Sequence, residues 1–84
     1  MKKNIAKKTI ILSILKLLYK GSSFDKPLRI VTITNVLNSV HIPCDRRTVS
    51  RNIQYLIDFG LPVIRKTGAN GGYYYNKELD KIFN

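Results

Sequence analysis

The sequence predicts a mostly α-helical fold with a small β-hairpin, and three observations support this prediction. Apolar residues recur at helical spacing in three stretches, over residues 6–20, 33–40 and 45–60. A glycine-rich turn at 67–72 separates two short runs of β-branched and aromatic residues. A chain of 84 residues is long enough for one small core. We therefore expect a three-helix core packed on a two- to three-stranded sheet.

The composition predicts a single domain, residues 1–84, that favours an anionic partner. Fifteen Lys and Arg oppose five Asp and Glu, which gives a formal net charge of +10. Such an imbalance favours DNA, RNA, an anionic membrane surface or a nucleoprotein, and the alternative is a basic surface without a dedicated partner. Residues 1–5 are expected to form a mobile basic tail. One cysteine, no secretory signal and no apolar run of about 18 residues predict a cytoplasmic protein that does not span a membrane. Of the anionic partners, we expect DNA and not a membrane.

The first half of the chain is predicted as helix, short strand and helix. The helix over 6–20 has an apolar belt wider than one stripe, so we expect contacts on more than one side. Residues 28–31 are β-branched near their end and predict a first strand that pairs with the hairpin. Thr32 then caps a second helix over 33–40. The core-facing residues of that helix are predicted to be Ile33, Val36, Leu37 and Val40.

Residues 41–44 are predicted to form the turn between the second and third helices. Pro43 cannot continue a helix, and it favours extended backbone at His41 and Ile42. His41 has no second metal ligand nearby and no acidic partner at catalytic spacing, so we expect a surface histidine. Cys44 precedes an aspartate, which disfavours the thiolate, and is expected to be a small buried residue.

Residues 45–60 form the helix that says most about function. Asp45 offers a short side-chain oxygen for the N-cap, and Gly60 accepts the left-handed conformation that ends a helix. The apolar face consists of Val49, Ile53, Leu56 and Ile57. At about 100° per residue, the opposite face carries Arg47, Thr48, Arg51, Gln54 and Tyr55. Guanidinium, hydroxyl and amide groups are those that contact phosphates and base edges in a DNA groove.

The hairpin is predicted from strands at 63–66 and 73–75. Alternation places Tyr73 and Tyr75 on one face and Tyr74 on the other. Basic side chains lie beside the turn and an amide lies in it, and we expect Arg65, Lys66 and Asn70 to lie near phosphates. Three consecutive tyrosines leave open a second interpretation, the stacking of unpaired bases. The last residues, 76–84, predict a short helix whose apolar edge is formed by Leu79, Ile82 and Phe83.

Several motifs together resemble those of a known family. They are DRRTVSRNI at 45–53, Leu56, GLPV at 60–63 and GGY at 71–73. Over about residues 5–76 the chain resembles the N-terminal DNA-binding module of WYL-domain and DeoR-type bacterial transcription regulators. It departs from the usual pattern at Asp45, where the family has Ser, and at Asn52, where it has Asp. The resemblance implies a winged helix-turn-helix with 45–60 as the recognition helix, and family members normally continue into a ligand-sensing domain.

From the spacing and the resemblance we expect sequence-specific binding of double-stranded DNA by a small stand-alone transcriptional regulator. The recognition helix would lie in the major groove and the hairpin on the flanking backbone. The predicted contact residues are Arg46, Arg47, Thr48, Ser50, Arg51, Gln54, Tyr55, Arg65, Lys66 and Asn70. A palindromic operator would require a homodimer, for which the first helix and Leu79, Ile82 and Phe83 are the candidates.

Two alternatives remain from the sequence. In the first alternative, the chain is an inhibitor or adaptor, encoded by a phage or another mobile element, that binds a protein or ribonucleoprotein through the same fold. In the second alternative, the chain is a fragment whose missing partner supplies the function. The five acidic residues are scattered, and no metal-ligand cluster, nucleophile–base set or phosphate-binding loop is evident. We therefore expect no enzymatic activity, no cofactor and no metal.

Overall fold

The computed structural model describes residues 7–80, which form three helices followed by a hairpin. The elements are α1 (Lys7–Gly21), α2 (Ile30–Ser39), α3 (Arg46–Phe59), β1 (Val63–Lys66), β2 (Gly72–Tyr75) and a short 3-10 helix (Lys77–Leu79). The two strands pair antiparallel. The predicted mostly helical fold with a small sheet is confirmed at this level. The predicted tail at 1–5 and the end of the terminal helix, with Ile82 and Phe83, lie outside the described residues.

The core lies where the three helices meet the hairpin. Its most deeply buried side chains are Ile14, Leu18, Ile33, Val49 and Ile53. Tyr75 extends this core, because its ring stands edge-on to Tyr19 with centroids 5.0 Å apart. The Tyr75 hydroxyl donates to Oδ2 of buried Asp80 at 2.8 Å. Burial, reinforced by this bond, raises the pKa of the Tyr75 phenol. The end of the described chain is thereby attached to the hairpin.

The expected first strand at residues 28–31 is wrong. Only Leu28 pairs with the hairpin, in a single bridge to Tyr73. In this bridge each residue donates its N–H to the carbonyl of the other, and both N···O distances are 2.7 Å. The pairing stops there because Arg29 is the N-cap residue of α2, which begins at Ile30. The sheet therefore has two strands and one bridged residue beside them.

The second helix begins earlier than predicted, at Ile30, with Arg29 rather than Thr32 in the N-cap position. The Arg29 backbone is extended, and no side chain caps the helix. The β-branched residues here have a modest preference for strands, but tertiary packing outweighs it. Helical spacing brings Ile33 and Leu37 into the core together.

Two apolar residues of α2 that were predicted to face the core are exposed. Val36 is 37% exposed and Val40 is 56% exposed. The buried side of α2 consists of Ile33, Thr34 and Leu37. Because α2 packs chiefly against α3, its side toward α1 stays open. Val36 and Val40 line a groove there, together with Leu17 and Ile42.

The ends of α2 and α3 share one geometry. His41 follows α2 with a φ of 65°, and the Ile42 N–H donates to the Leu37 carbonyl at 2.9 Å. The expected extended backbone at His41 is therefore wrong, since a left-handed residue closes the helix. Histidine is among the residues that tolerate this conformation. At the end of α3 the same role falls to Gly60, with a φ of 108°, as predicted.

The hairpin presents two different faces. Val63 pairs with Tyr75, and both are buried. Tyr73 lies on the same face and packs at the edge of the core. Tyr74 lies on the other face, edge-on to Phe24 with ring centroids 5.7 Å apart. The predicted alternation of the three tyrosines is confirmed. Within residues 7–80, no helix has both the length and the apolar character to cross a membrane.

Candidate nucleic-acid interface

The outward side of α3 carries a polar stripe. Arg47, Arg51, Gln54 and Asp58 follow one another at intervals of four, three and four residues, and all are exposed. The opposite side is buried through Val49, Ile53 and Leu56. Residues at this spacing lie above one another on a helix, so the two guanidiniums are one turn apart and point the same way. The structure thus brings together two of the basic residues of the predicted contact surface, Arg47 and Arg51.

Other predicted contact residues lie at the edges of this stripe. Arg46 and Ser50 are exposed on one side, and Tyr55 is 52% exposed on the other. Thr48 is only half-exposed, and its carbonyl accepts a 2.8 Å hydrogen bond from the Asn52 side chain. Thr48 therefore lies at the margin, where its hydroxyl has less access to a ligand than the arginines have.

The N-terminus of α3 is capped by the carboxylate of Asp45. The Thr48 N–H donates to Oδ1 of Asp45 at 2.8 Å, as predicted for the N-cap. That hydrogen bond is the main reason why the pKa of the Asp45 carboxyl lies below its ordinary value. The negative charge offsets the positive end of the helix dipole. Attraction for a phosphate at this end therefore depends on Arg46 and Arg47 rather than on exposed helix amides.

The C-terminal half of α3 has a different character. Nε2 of Gln54 donates to Oδ1 of Asp58 at 2.9 Å, which orients the amide along the helix. The Asp58 carboxylate repels phosphate, so an anion would prefer the N-terminal half of the stripe. Phe59, which sequence analysis did not single out, is 74% exposed beside Tyr55. Phe59 lies four residues after Tyr55, and this i, i+4 spacing in the sequence could have indicated that the two side chains are neighbours on the helix surface.

The two basic residues of β1 are placed differently. Arg65 is exposed, on the same face of the hairpin as Tyr73. Nζ of Lys66 donates to the Phe24 carbonyl at 2.9 Å and lies 3.9 Å from the centre of the Phe24 ring. The Lys66 ammonium thus joins the hairpin to the segment before α2. Of these two residues, Arg65 has the side chain available for a ligand.

Arg29 is a basic residue of the site that sequence analysis missed. It was assigned to a strand, whereas it directly precedes α2 and is exposed. Nη2 of Arg29 donates to the Ala69 carbonyl in the hairpin turn at 2.6 Å. On one side Arg29 borders a groove that also contains Arg65. On the other side it borders a second groove that contains Asn70.

Two residues of the turn before α3, His41 and Cys44, have side chains that often take part in catalysis or metal binding. His41 is exposed, and Cys44 is half-buried against the core. Burial, and then the nearby Asp45 charge, raises the pKa of the Cys44 thiol, so its thiolate is disfavoured. Within residues 7–80, no three His, Cys, Asp or Glu side chains group together to hold a metal ion.

Comparison of the chain with protein-family models, with curated proteins and with solved structures found no match. The polar stripe of α3 and the basic side chains around the hairpin are therefore the features of this chain that point to a function.

Proposed function

We propose that this protein is a small winged helix-turn-helix regulator that binds double-stranded DNA with sequence specificity. In this proposal α2 and α3 form the helix-turn-helix, α3 is the recognition helix and the hairpin is the wing. The observation that carries the proposal is the exposed stripe of Arg47, Arg51 and Gln54 on a helix whose other side is buried. A single cysteine without a disulfide is in keeping with a cytoplasmic setting.

The stripe offers the groups that read bases in the major groove. An arginine can donate two hydrogen bonds to guanine, and a glutamine can pair with adenine, each contact contributing about 1–3 kcal/mol of discrimination. The bond to Asp58 leaves Gln54 with one amide proton and its carbonyl oxygen for such a pairing. The net charge of +10 adds attraction that depends on salt and not on sequence.

The hairpin would contact the backbone beside the recognition helix. It is attached to the segment before α2 at two points, through Lys66 of β1, which contacts Phe24, and through Ala69 of the turn, which contacts Arg29. Each link joins residues about 40 positions apart in sequence. A wing held in this way loses little conformational freedom when it binds, which favours affinity.

Selection of bound sequences from a randomised duplex pool tests the proposal. At a salt concentration of about 150 mM, attraction between exposed charges is screened beyond about 8 Å, so that generic binding is reduced. We expect the parent chain to select a defined motif. Arg47→Ala and Arg51→Ala should each reduce affinity for that motif about 5- to 150-fold, the equivalent of 1–3 kcal/mol.

Lys20→Ala is the matched control, because it removes one exposed positive charge from the end of α1 and not from α3. It should change affinity only slightly and leave the selected motif unchanged. If the parent selects no motif and its binding fades as salt rises, only generic attraction to polyanions remains. If both arginine variants bind the motif like the parent, α3 is not the reading element.

A second candidate function is supported by the groove between α1 and α2. It has a volume of about 350 Å³ and is lined by Leu17, Val36, Val40 and Ile42 among others. An apolar groove of this kind can receive an amphipathic helix of another protein. The candidate is an inhibitor or adaptor of a protein or ribonucleoprotein, of the kind that mobile elements encode. Binding of such a partner would be lost in Val40→Glu and retained in Arg51→Ala, the reverse of the result expected for DNA.

A homodimer is part of the regulator proposal, since a palindromic operator presents two half-sites. The exposed apolar residues that favour it are Leu12 on α1, at 59% exposure, and Leu79, at 56%. The other predicted contributors, Ile82 and Phe83, lie outside the described residues. A two-fold motif in the sequence selection would support a dimer and give the spacing of its half-sites.

A further inference from the structure

The groove between the start of α2 and the hairpin is basic on both of its walls. It has a volume of about 420 Å³. Arg29 stands on the α2 side, while Arg65 and Thr67 stand on the hairpin side. None of the described residues that line the groove is acidic. An anion placed there would meet two guanidiniums and a hydroxyl, with no opposing charge in the lining.

The charge inside this groove comes from the arginines. Lys66 also lines the groove, but its ammonium lies against Phe24, where it donates to the Phe24 carbonyl. Arg29 and Arg65 are both exposed. The Arg29 bond to the Ala69 carbonyl uses one of the five N–H donors of a guanidinium. The others can still bind an anion, and that bond sets the position of the group.

The shape and chemistry of the groove favour a phosphate. The planar guanidinium fork matches phosphate oxygens and often binds them through two parallel hydrogen bonds. We infer that the groove seats a phosphodiester of a DNA backbone, held by Arg29 and Arg65. This inference rests on the proposed function and adds a contact that includes α2 and Arg29.

In this arrangement Arg29 has two roles. It binds the phosphate, and through Ala69 it fixes the turn of the hairpin relative to α2. Arg65 has no such second role, because no described residue is hydrogen-bonded to its side chain. Arg65 therefore isolates the phosphate contact, whereas Arg29 combines that contact with the position of the hairpin.

Duplex binding measured as a function of salt tests the inference. The variants are Arg29→Gln and Arg65→Gln, with Lys20→Gln as the control. Each arginine variant should weaken binding about 10- to 150-fold, the loss expected for one charge-assisted hydrogen bond. The slope of log affinity against log salt should fall by about 0.9 for each phosphate contact removed. The loss should be equal for the selected motif and for a scrambled duplex, because a phosphate contact carries no sequence information. Lys20→Gln should keep the parent slope.

The outcomes separate this inference from the proposed function. A parent chain that binds no duplex removes the proposed function, and the groove inference with it. A parent that binds its motif while Arg29→Gln and Arg65→Gln keep the parent slope overturns the groove inference alone. Titration with inorganic phosphate, followed by NMR of the arginine side chains, distinguishes the source of the anion. Saturable shifts at Arg29 and Arg65 with an unchanged duplex slope would identify a site for free phosphate and overturn the backbone assignment.

Discussion

Gly72, at the start of β2, lies closer to its neighbouring segment than any side chain would allow. A Cβ atom added there would stand 2.7 Å from both the carbonyl carbon and the carbonyl oxygen of Leu28. Its φ of +153° is also a value that residues with side chains rarely adopt. Leu28 cannot simply retreat, because two 2.7 Å hydrogen bonds connect its backbone to Tyr73. We therefore predict that Gly72→Ala breaks this bridge.

The expected loss follows from two contributions. An L residue at a glycine-type positive φ costs about 1–2 kcal/mol. The two hydrogen bonds of the bridge contribute about 0.5–1.5 kcal/mol each. Gly72→Ala should therefore lower the free energy of unfolding by about 2–5 kcal/mol, a large part of the 5–15 kcal/mol that stabilises an ordinary domain.

Urea unfolding followed by circular dichroism measures this loss, and two neighbouring glycines separate its causes. Gly68 has a φ of +108° and no atom within 4 Å of an added Cβ, so Gly68→Ala should show the conformational loss of about 1–2 kcal/mol alone. Gly71 has no positive φ, but an added Cβ would stand 2.5 Å from the Lys66 carbonyl oxygen. Gly71→Ala therefore reports a steric clash within the turn. Gly72→Ala combines both effects.

A Gly72→Ala variant that is no more destabilised than Gly68→Ala would refute the predicted clash with Leu28. Amide exchange adds a local test. The Leu28 and Tyr73 amides donate to each other's carbonyls, so they should be protected in the parent and in Gly68→Ala. In Gly72→Ala they should exchange faster than the amides of α3. Retained protection of both amides in a destabilised Gly72→Ala would place the loss elsewhere.

Two further predictions concern hydrogen bonds outside the hairpin turn. Tyr75→Phe removes the hydroxyl that donates to buried Asp80, and should lower the free energy of unfolding by about 1.5–3 kcal/mol. Tyr74→Phe, on the other face of the hairpin, is the control, and its free energy of unfolding in the same urea titration should stay close to that of the parent. The pKa of the Asp45 carboxyl is lower in the folded protein than its ordinary value of 3.8. The ionised cap therefore stabilises the fold fully at pH values above 3.8, and this stability is lost as the pH falls through the lower pKa of the folded state. Asp45→Asn keeps a capping oxygen that does not titrate, so below pH 3.8 its unfolding midpoint should depend less on pH than that of the parent. The same pH dependence of the unfolding midpoint in both chains would contradict this account.

The helix α3 could be predicted from sequence because its signals are local. Asp45 and Gly60 act on backbone groups within a few residues of themselves, so both ends were recognised correctly. The separation of its polar and apolar faces follows from helical periodicity alone. The exposed positions of Arg47 and Arg51 were therefore predictable, and the hairpin was predictable for a similar reason, from its glycines and alternating tyrosines.

Residues that face two neighbours were not predictable in this way. Val36 and Val40 keep helical spacing, yet they are exposed because α1 does not cover that side of α2. The β-branched residues at 28–31 favour a strand locally, but packing of α2 requires a helix from Ile30. Periodicity states which residues share a face, and it does not state how far a neighbouring element extends over that face.

The sequence by itself determined the order of the three helices and the hairpin, the ends of α3 and the identity of the residues on its outward face, since each depends mainly on interactions within one element. Only the tertiary structure decided which groups the basic side chains around the hairpin contact. Lys66 lies on Phe24 and Arg29 reaches Ala69, and both contacts join residues about 40 positions apart in sequence. No local pattern encodes such a meeting, because it depends on the angle at which the hairpin packs against the start of α2.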